Sequence, residues 1–427
     1  MDLPADLIKA TSSSLSDAES IQPVSDPPRG AADASRLARI VSLLQAARVP
    51  LVVIGKGAAY ARAEEAIRAL IDDAHLPFLP TPMGKGVVAD SHPFNAASAR
   101  SAALREADVV LLLGARLNWI LHFGEAPKWN ANVRFIQVDN DTSEIGKNKG
   151  DAELGIVGDI TVVVDQLHAA LSGWRWDAAK SSFWAGVSAA RDKNERAAAA
   201  KAEEKKSPLS YHQAFGVIKR VLNELSPVDD GGVVYVSEGA NTMDISRSIF
   251  PVSHPRLRLD AGTHATMGVG LGYAIAAYAA YNFESPEGHS GKEGRKKIVA
   301  IEGDSAFGFS GMEIETMARW DMDVLIVVMN NGGVYHGDAD SEEIWEGMKR
   351  GTVDGKGKGL RSTSLGWEVG YEQMAEMCGG KGWKVRTEEE LERATREGYE
   401  ARVPVVLNVI IEPGAGKKLV CCLRWHD

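Results

Sequence analysis

Asp304 and Asn331 stand 27 positions apart, each just beyond a run of apolar residues. Asp304 lies in Val299-Ala-Ile-Glu-Gly-Asp-Ser-Ala-Phe-Gly-Phe-Ser-Gly, and Asn331 in Val-Val-Met-Asn-Asn-Gly-Gly. A carboxylate, an amide oxygen and the backbone carbonyl of Gly333, two residues after the amide, form an all-oxygen ligand set. Mg²⁺ takes near-octahedral oxygen coordination, with few ligands from protein and the rest from phosphate and water. These residue types therefore point to a hard cation clamped onto a diphosphate. A Gly-Asp turn or an Asn-Gly turn alone reads as an ordinary turn of an α/β protein. Both at this spacing, with the run between them, favour the clamp.

The clamp requires two chain segments to meet. Residues 297–301 and 324–329 are rich in Val and Ile, as expected of parallel strands buried on both faces. Between them, residues 311–320 are expected to form a helix with Met312, Ile314, Met317 and Trp320 largely to one side. A βαβ crossover brings the carboxyl ends of such strands together, where open α/β sheets bind ligands. The start of a helix after Asp304 also offers free N–H groups to an anion. Glu302 reads as structural.

Upstream, residues 51–55, 107–114 and 133–139 read as strands and 63–73 as a helix, which implies a Rossmann-like parallel sheet. The expected fold class is α/β, with two doubly wound parallel-sheet domains. The expected division is a connector over 1–34, a central Rossmann-like domain over 35–190, a charged linker or solvated helix over 191–207, a second α/β domain over 208–412 and a tail over 413–427. In the first domain, Gly55-Lys56-Gly57 directly after a strand is either an anion cradle or a surface turn. Arg116 ends another strand. Asp139 ends a third, where an acidic side chain can accept from ribose hydroxyls. In the second, the glycine-rich stretch 262–272 opens an Ala-rich helix; this pattern alone is weak and also fits close helix packing.

A chain of 427 residues with 44% hydrophobic content can bury two sizeable cores. The net charge of −10 argues against nucleic acid or an anionic membrane as partner. The three cysteines, Cys378, Cys421 and Cys422, lack metal spacing and suit a reducing compartment. No apolar run approaches the roughly 20 residues of a membrane span, and the N-terminus lacks signal-peptide features.

Gly303-Asp304-Ser305 through Asn330-Asn331 resembles the thiamine-diphosphate motif. The longer string Glu302 to Glu313, with Ser237-Glu-Gly-Ala-Asn-Thr-Met-Asp, Arg258-Leu-Asp-Ala-Gly-Thr and Met267-Gly-Val-Gly-Leu-Gly, is similar to 2-hydroxyacyl-CoA lyases and oxalyl-CoA decarboxylases. The resemblance runs from Asp2 to about Pro413. It implies thiamine diphosphate and Mg²⁺ as cofactors, with Asp304, Asn331 and the Gly333 carbonyl as metal ligands. Gly303, Ser305, Ala306 and Tyr335 join them around the cofactor, though Tyr335 reads equally as packing. The Ala265 carbonyl would accept from the 4′-amino group of the pyrimidine, and Met267 would be the wedge that bends the cofactor. His264-Ala265 replaces an aromatic-glycine pair, and a positive φ at Ala265 would cost on the order of 1 kcal/mol. His264 reads as a substrate contact or a structural histidine. Lys56, Arg116 and Asp139 match residues that hold the adenosine diphosphate portion of CoA, a site that the overall negative charge does not oppose. Asn241 and Arg247 flank a segment used near CoA.

The implied reaction is cleavage of a 2-hydroxyacyl-CoA to formyl-CoA and an aldehyde, as in fatty acid α-oxidation. Alternatives are an oxalyl-CoA decarboxylase, an acetolactate-synthase-like enzyme, and a non-catalytic CoA- or cofactor-binding protein. Such enzymes carry an N-terminal pyrimidine-binding domain that supplies an activating glutamate, and this sequence starts where that domain ends in relatives. No residue here is assigned that role, and Tyr335 is the one catalytic candidate. The expectation is that this chain alone shows no turnover, and that the missing domain or another subunit completes a homo-oligomer. Eukaryotic relatives are peroxisomal, but the C-terminus lacks a Ser-Lys-Leu-like address, which leaves peroxisome and cytosol open.

Overall fold

Two all-parallel sheets carry the molecule. The structure, a computed structural model, describes residues 4–11, 16, 20–22, 24–283 and 295–414. The tail beyond residue 414, with Cys421 and Cys422, lies outside the described residues.

The first sheet contains β1 (Pro50–Ile54), β2 (Phe78–Pro80), β3 (Val109–Leu113), β4 (Arg134–Asp139) and β5 (Gly155–Val157), in the spatial order β2-β1-β3-β4-β5. β1 and β3 are buried along their whole length, as their unbroken apolar sequences require. The covering helices are amphipathic: Glu64–Ala74 turns Ile67, Leu70 and Ile71 inward at helical spacing. Asp33 caps the helix Ala34–Ala46 by accepting from the N–H groups of Ser35 and Arg36. The strand order reverses between β1 and β3, so a crevice opens at their carboxyl ends. There the backbones nearly touch. A Cβ on Gly55 would fall 1.9 Å from the carbonyl oxygen of Gly114.

One helix, Ser182–Glu203, leads away from the first sheet, with Phe183 and Val187 buried in its first core. The charged stretch from residue 191 is the second half of this helix. Leu209 then forms an isolated parallel bridge with Ile411, just past the end of the last strand of the second sheet.

That sheet contains β6 (Val233–Glu238), β7 (Arg258–Asp260), β8 (Lys297–Gly303), β9 (Leu325–Asn330), β10 (Lys381–Val385) and β11 (Val405–Ile410), in the order β10-β11-β9-β8-β6-β7. β8 and β9 are direct neighbours, with Gly303 opposite Met329. Asp304 and Asn331 therefore leave adjacent strands at the same edge. The connection is two short helices, Asp304–Ser310 and Glu313–Arg319, and not one. Ile314 and Met317 are fully buried as expected, but Met312 and Trp320 are 58% and 57% exposed. Met312 and Trp320 stand outside the second helix as its N-cap and C-cap residues, so neither lies on its buried face.

The two units touch through side chains on both sides. Arg256 pairs with Glu64 at 2.8 Å, the Lys85 ammonium donates to the Arg247 carbonyl at 3.0 Å, and the Val252 N–H donates to Asp90 at 2.9 Å.

Candidate functional site

Asp304 is 2% exposed and accepts from three backbone N–H groups: Ser305 at 2.7 Å, Asn331 at 3.1 Å and Gly332 at 2.8 Å. The carboxylate at the end of β8 is thus tied to the peptide at the end of β9. The Asn331 amide is oriented at both ends. Its Oδ1 accepts from the Gly333 N–H at 3.1 Å, and its Nδ2 donates to the Tyr335 carbonyl at 3.2 Å and to the Tyr211 hydroxyl at 3.5 Å.

Burial lifts the Asp304 carboxyl to about 7, against the lowering effect of its N–H donors. A buried carboxylate held in this way, tied to the loop whose Asn331 amide and Gly333 carbonyl are the other oxygen candidates, fits a hard divalent cation, which would favour its ionised form. Among the described residues no three His, Cys, Asp or Glu converge on one point, so a cation here relies on this mixed oxygen set. Gly303 closes β8, Ser305 and Ala306 begin the next helix, and Ala306 is fully buried.

Tyr335 follows four residues after Asn331, with φ +67° and a half-exposed side chain. Its carbonyl also accepts from Asn241 Nδ2 at 2.7 Å. Further along the loop, Arg361 bonds to Asp338, to the His336 ring at 2.7 Å and to the His336 carbonyl at 3.1 Å.

Ala265 and Met267 lie on the segment between β7 and the helix Gly270–Asn282. Ala265 has φ +50° and ψ +40°, the left-handed conformation that the missing glycine would have adopted freely. Met267 is exposed, next to Gly268, where a Cβ would lie 2.9 Å from Phe309 Cβ. His264 is exposed. Arg247 is committed to Asp260 at 3.0 Å and Asp244 at 2.6 Å.

Behind this segment stand two carboxylates, and the role of one, Glu238, carries no local sequence signal. Glu238, at the end of β6, accepts from the N–H groups of Gly268 and Gly270, the latter at 2.5 Å. Glu302 is fully buried beside it, and neither of its oxygens has a hydrogen-bond partner. Burial first, and the neighbouring Glu238 second, hold the Glu302 carboxyl well above the usual carboxylate range. Gly270 is where the helix presses on the pair: a Cβ there would lie 2.1 Å from a Glu302 oxygen.

In the first unit a cavity of about 800 Å³ opens at the β1–β3 reversal. Lys56, Arg116 and Asp139 all line it, together with Tyr60. Arg29 of the connector and Asp260 and Gly262 of the second unit complete its rim. Arg116 lies 3.7 Å from Glu144, and Asp139 accepts from the Asp141 N–H at 3.0 Å. Burial raises the Asp139 carboxyl, with that N–H and Arg116 opposing. The connector and the second unit contribute to this cavity through tertiary packing, which no local pattern announces.

Comparison with known proteins agrees with this geometry. Residues 37–167 match the thiamine pyrophosphate enzyme central domain, and residues 238–409 match the thiamine pyrophosphate enzyme C-terminal TPP binding domain. A 2-hydroxyacyl-CoA lyase of Arabidopsis thaliana is 41% identical over 422 residues, covering 97% of this chain and 69% of its own length. The Homo sapiens 2-hydroxyacyl-CoA lyase 1 is 41% identical over 98% of this chain and 69% of its own. An oxalyl-CoA decarboxylase of Escherichia coli is 38% identical over 97% of this chain and 68% of its own. A solved Mycobacterium smegmatis protein, described as a thiamin diphosphate-dependent enzyme, superposes with a TM-score of 0.64 at 19% identity, over 91% of this chain and 66% of its own, and shares the fold. Both halves of the molecule thus lead to one assignment: the chain belongs to the thiamine pyrophosphate enzyme family, alongside 2-hydroxyacyl-CoA lyases and oxalyl-CoA decarboxylases.

Proposed function

We propose that the protein works as a thiamine-diphosphate- and Mg²⁺-dependent carbon–carbon lyase on 2-hydroxyacyl-CoA, giving formyl-CoA and an aldehyde. The observation that carries this reading is the meeting of Asp304 and the Asn331 loop at adjacent strand ends, in a chain whose other sheet opens onto the cavity bordered by Lys56, Arg116 and Asp139. Asp304, Asn331 and the Gly333 carbonyl hold Mg²⁺, and Gly303, Ser305 and Ala306 face the diphosphate. The Ala265 carbonyl would accept from the 4′-amino group of the pyrimidine, Met267 would be the wedge that bends the cofactor, and Tyr335 would lie over it. Bound thiamine diphosphate supplies the electron sink for the carbon–carbon bond that breaks. Lys56 and Arg116 neutralise the CoA phosphates, while Asp139 accepts from a ribose hydroxyl.

Phe309, 69% exposed and packed against Gly268, leaves an apolar side chain uncovered beside the site. We assign its cover to a pyrimidine-binding domain, whether from the same longer polypeptide or from another subunit of a homo-oligomer. Among the described residues, no helix is long and apolar enough to cross a membrane.

Calorimetry with thiamine diphosphate, with and without Mg²⁺, tests the cofactor site. Product analysis after adding a pyrimidine-binding domain tests the reaction. Mg²⁺-dependent binding and aldehyde release from 2-hydroxyacyl-CoA are expected; binding indifferent to Mg²⁺ overturns the reading. The 38%-identical decarboxylase supports oxalyl-CoA as a second substrate reading. Both substrates lead to formyl-CoA, so the co-product decides: aldehyde for the lyase, carbon dioxide for the decarboxylase.

A further inference from the structure

Behind Asn331 lie two hydroxyl groups that neither strand-end motif contains. Tyr211 opens the helix Tyr211–Leu225, where the Ser210–Gln213 capping box fixes the start of the helix. Its hydroxyl lies 3.2 Å from Thr242 Oγ1 and 3.5 Å from Asn331 Nδ2. Thr242 is 1% exposed and packs beneath the end of β8: a Cβ on Gly303 would stand 3.2 Å from its Oγ1. The two hydroxyls therefore link the end of β8 to the amide at the end of β9, from elements outside the loop.

An asparagine amide has one donor end and one acceptor end, and only one of its two flips offers oxygen to a cation. Here the Gly333 N–H marks the oxygen end and the Tyr335 carbonyl the nitrogen end, and the Tyr211 hydroxyl accepts at the nitrogen end when its own proton goes to Thr242. Turning the amide over would set donor against donor at Gly333 and acceptor against acceptor at Tyr335. Gly333 and Tyr335 belong to the same loop as Asn331 and move with it; Tyr211 does not. The Tyr335 carbonyl is itself fixed by Asn241 at 2.7 Å, despite the positive φ of that residue.

We propose that Tyr211, backed by Thr242, is a positioning residue that locks the Asn331 amide with its oxygen available to the cation. This rests on the Mg²⁺ reading of the site. Tyr211 acts through Asn331 and touches neither the metal nor the diphosphate. The neutral tyrosine hydroxyl can donate to Thr242 at 3.2 Å while accepting from Asn331 at 3.5 Å.

The test is a Mg²⁺ titration of the full chain at saturating thiamine diphosphate, read by calorimetry. Wild type, Tyr211→Phe, Thr242→Val, Asn331→Asp and the Tyr211→Phe/Asn331→Asp double variant are compared. Tyr211→Phe is expected to weaken Mg²⁺ about fivefold, the scale of one hydrogen bond, and Thr242→Val to weaken it in the same direction. An aspartate offers oxygen at either end, so in the Asn331→Asp background the effect of Tyr211→Phe should drop below about twofold. Equal losses in both backgrounds, or a lowered melting temperature with unchanged Mg²⁺ affinity, overturn the positioning role. Wild-type binding unaffected by Tyr211→Phe overturns this inference alone. Failure of wild type to bind Mg²⁺ with thiamine diphosphate overturns the metal site with it.

Discussion

Ala265 holds its backbone at φ +50°, where its Cβ crowds the chain and a glycine would not. Ala265→Gly should raise the unfolding free energy by up to about 1 kcal/mol, measured by urea denaturation. Asp304→Asn keeps the shape of the side chain but loses its charge. It should reduce Mg²⁺-dependent thiamine diphosphate affinity about 10- to 100-fold by calorimetry, the scale of a charge-assisted contact. The meeting of Asp304 and Asn331 is readable in the sequence because each follows an apolar strand run at βαβ spacing. Tyr211 and Glu238 are not: each matters through a partner at least 30 positions away, such as Asn331 for Tyr211 or Gly268 for Glu238.

At the scale of elements, β8 begins beside a crowded ionic cluster. Asp323, 3% exposed, meets Arg295 at 2.6 Å, Arg402 at 3.2 Å and Lys297 at 3.8 Å. Burial pulls Lys297 down to about 8, with Asp323 opposing. The folded value lies below the unfolded value near 10.4, so between the two the unfolded chain binds more protons and stability rises with pH. From pH 8 to 10 the unfolding free energy should climb by on the order of 1 kcal/mol per pH unit relative to Lys297→Met. Equal slopes for the two proteins would refute the assignment. β8 and β9 are plain from their Val and Ile runs, whereas β10, Lys-Gly-Trp-Lys-Val, offers none and is not legible as a strand. The helical segment between β8 and β9 was harder, because periodicity shows the buried face at Ile314 and Met317 but not the break just before them.

Across the whole molecule, the first sheet opens where its strand order reverses between β1 and β3, while the second gathers Asp304 and Asn331 at the ends of the neighbouring strands β8 and β9. The two can be separated by experiment. Lys56→Ala and Arg116→Ala should each weaken CoA binding about tenfold in competition titrations, while leaving Mg²⁺-dependent thiamine diphosphate binding unchanged. The strand-end rule was enough to gather Lys56, Arg116 and Asp139 from sequence. The shares of Arg29 and Asp260 depend on how the connector and second unit dock, which local patterns do not encode. The near-contact of Gly55 with the Gly114 carbonyl has a separate consequence. Bare peptide there is demanded by the spacing of β1 and β3, whatever occupies the crevice. In a descendant whose crevice no longer needed a positive charge, Gly55 and Gly57 would persist as architecture, and change would show first at Lys56 between them.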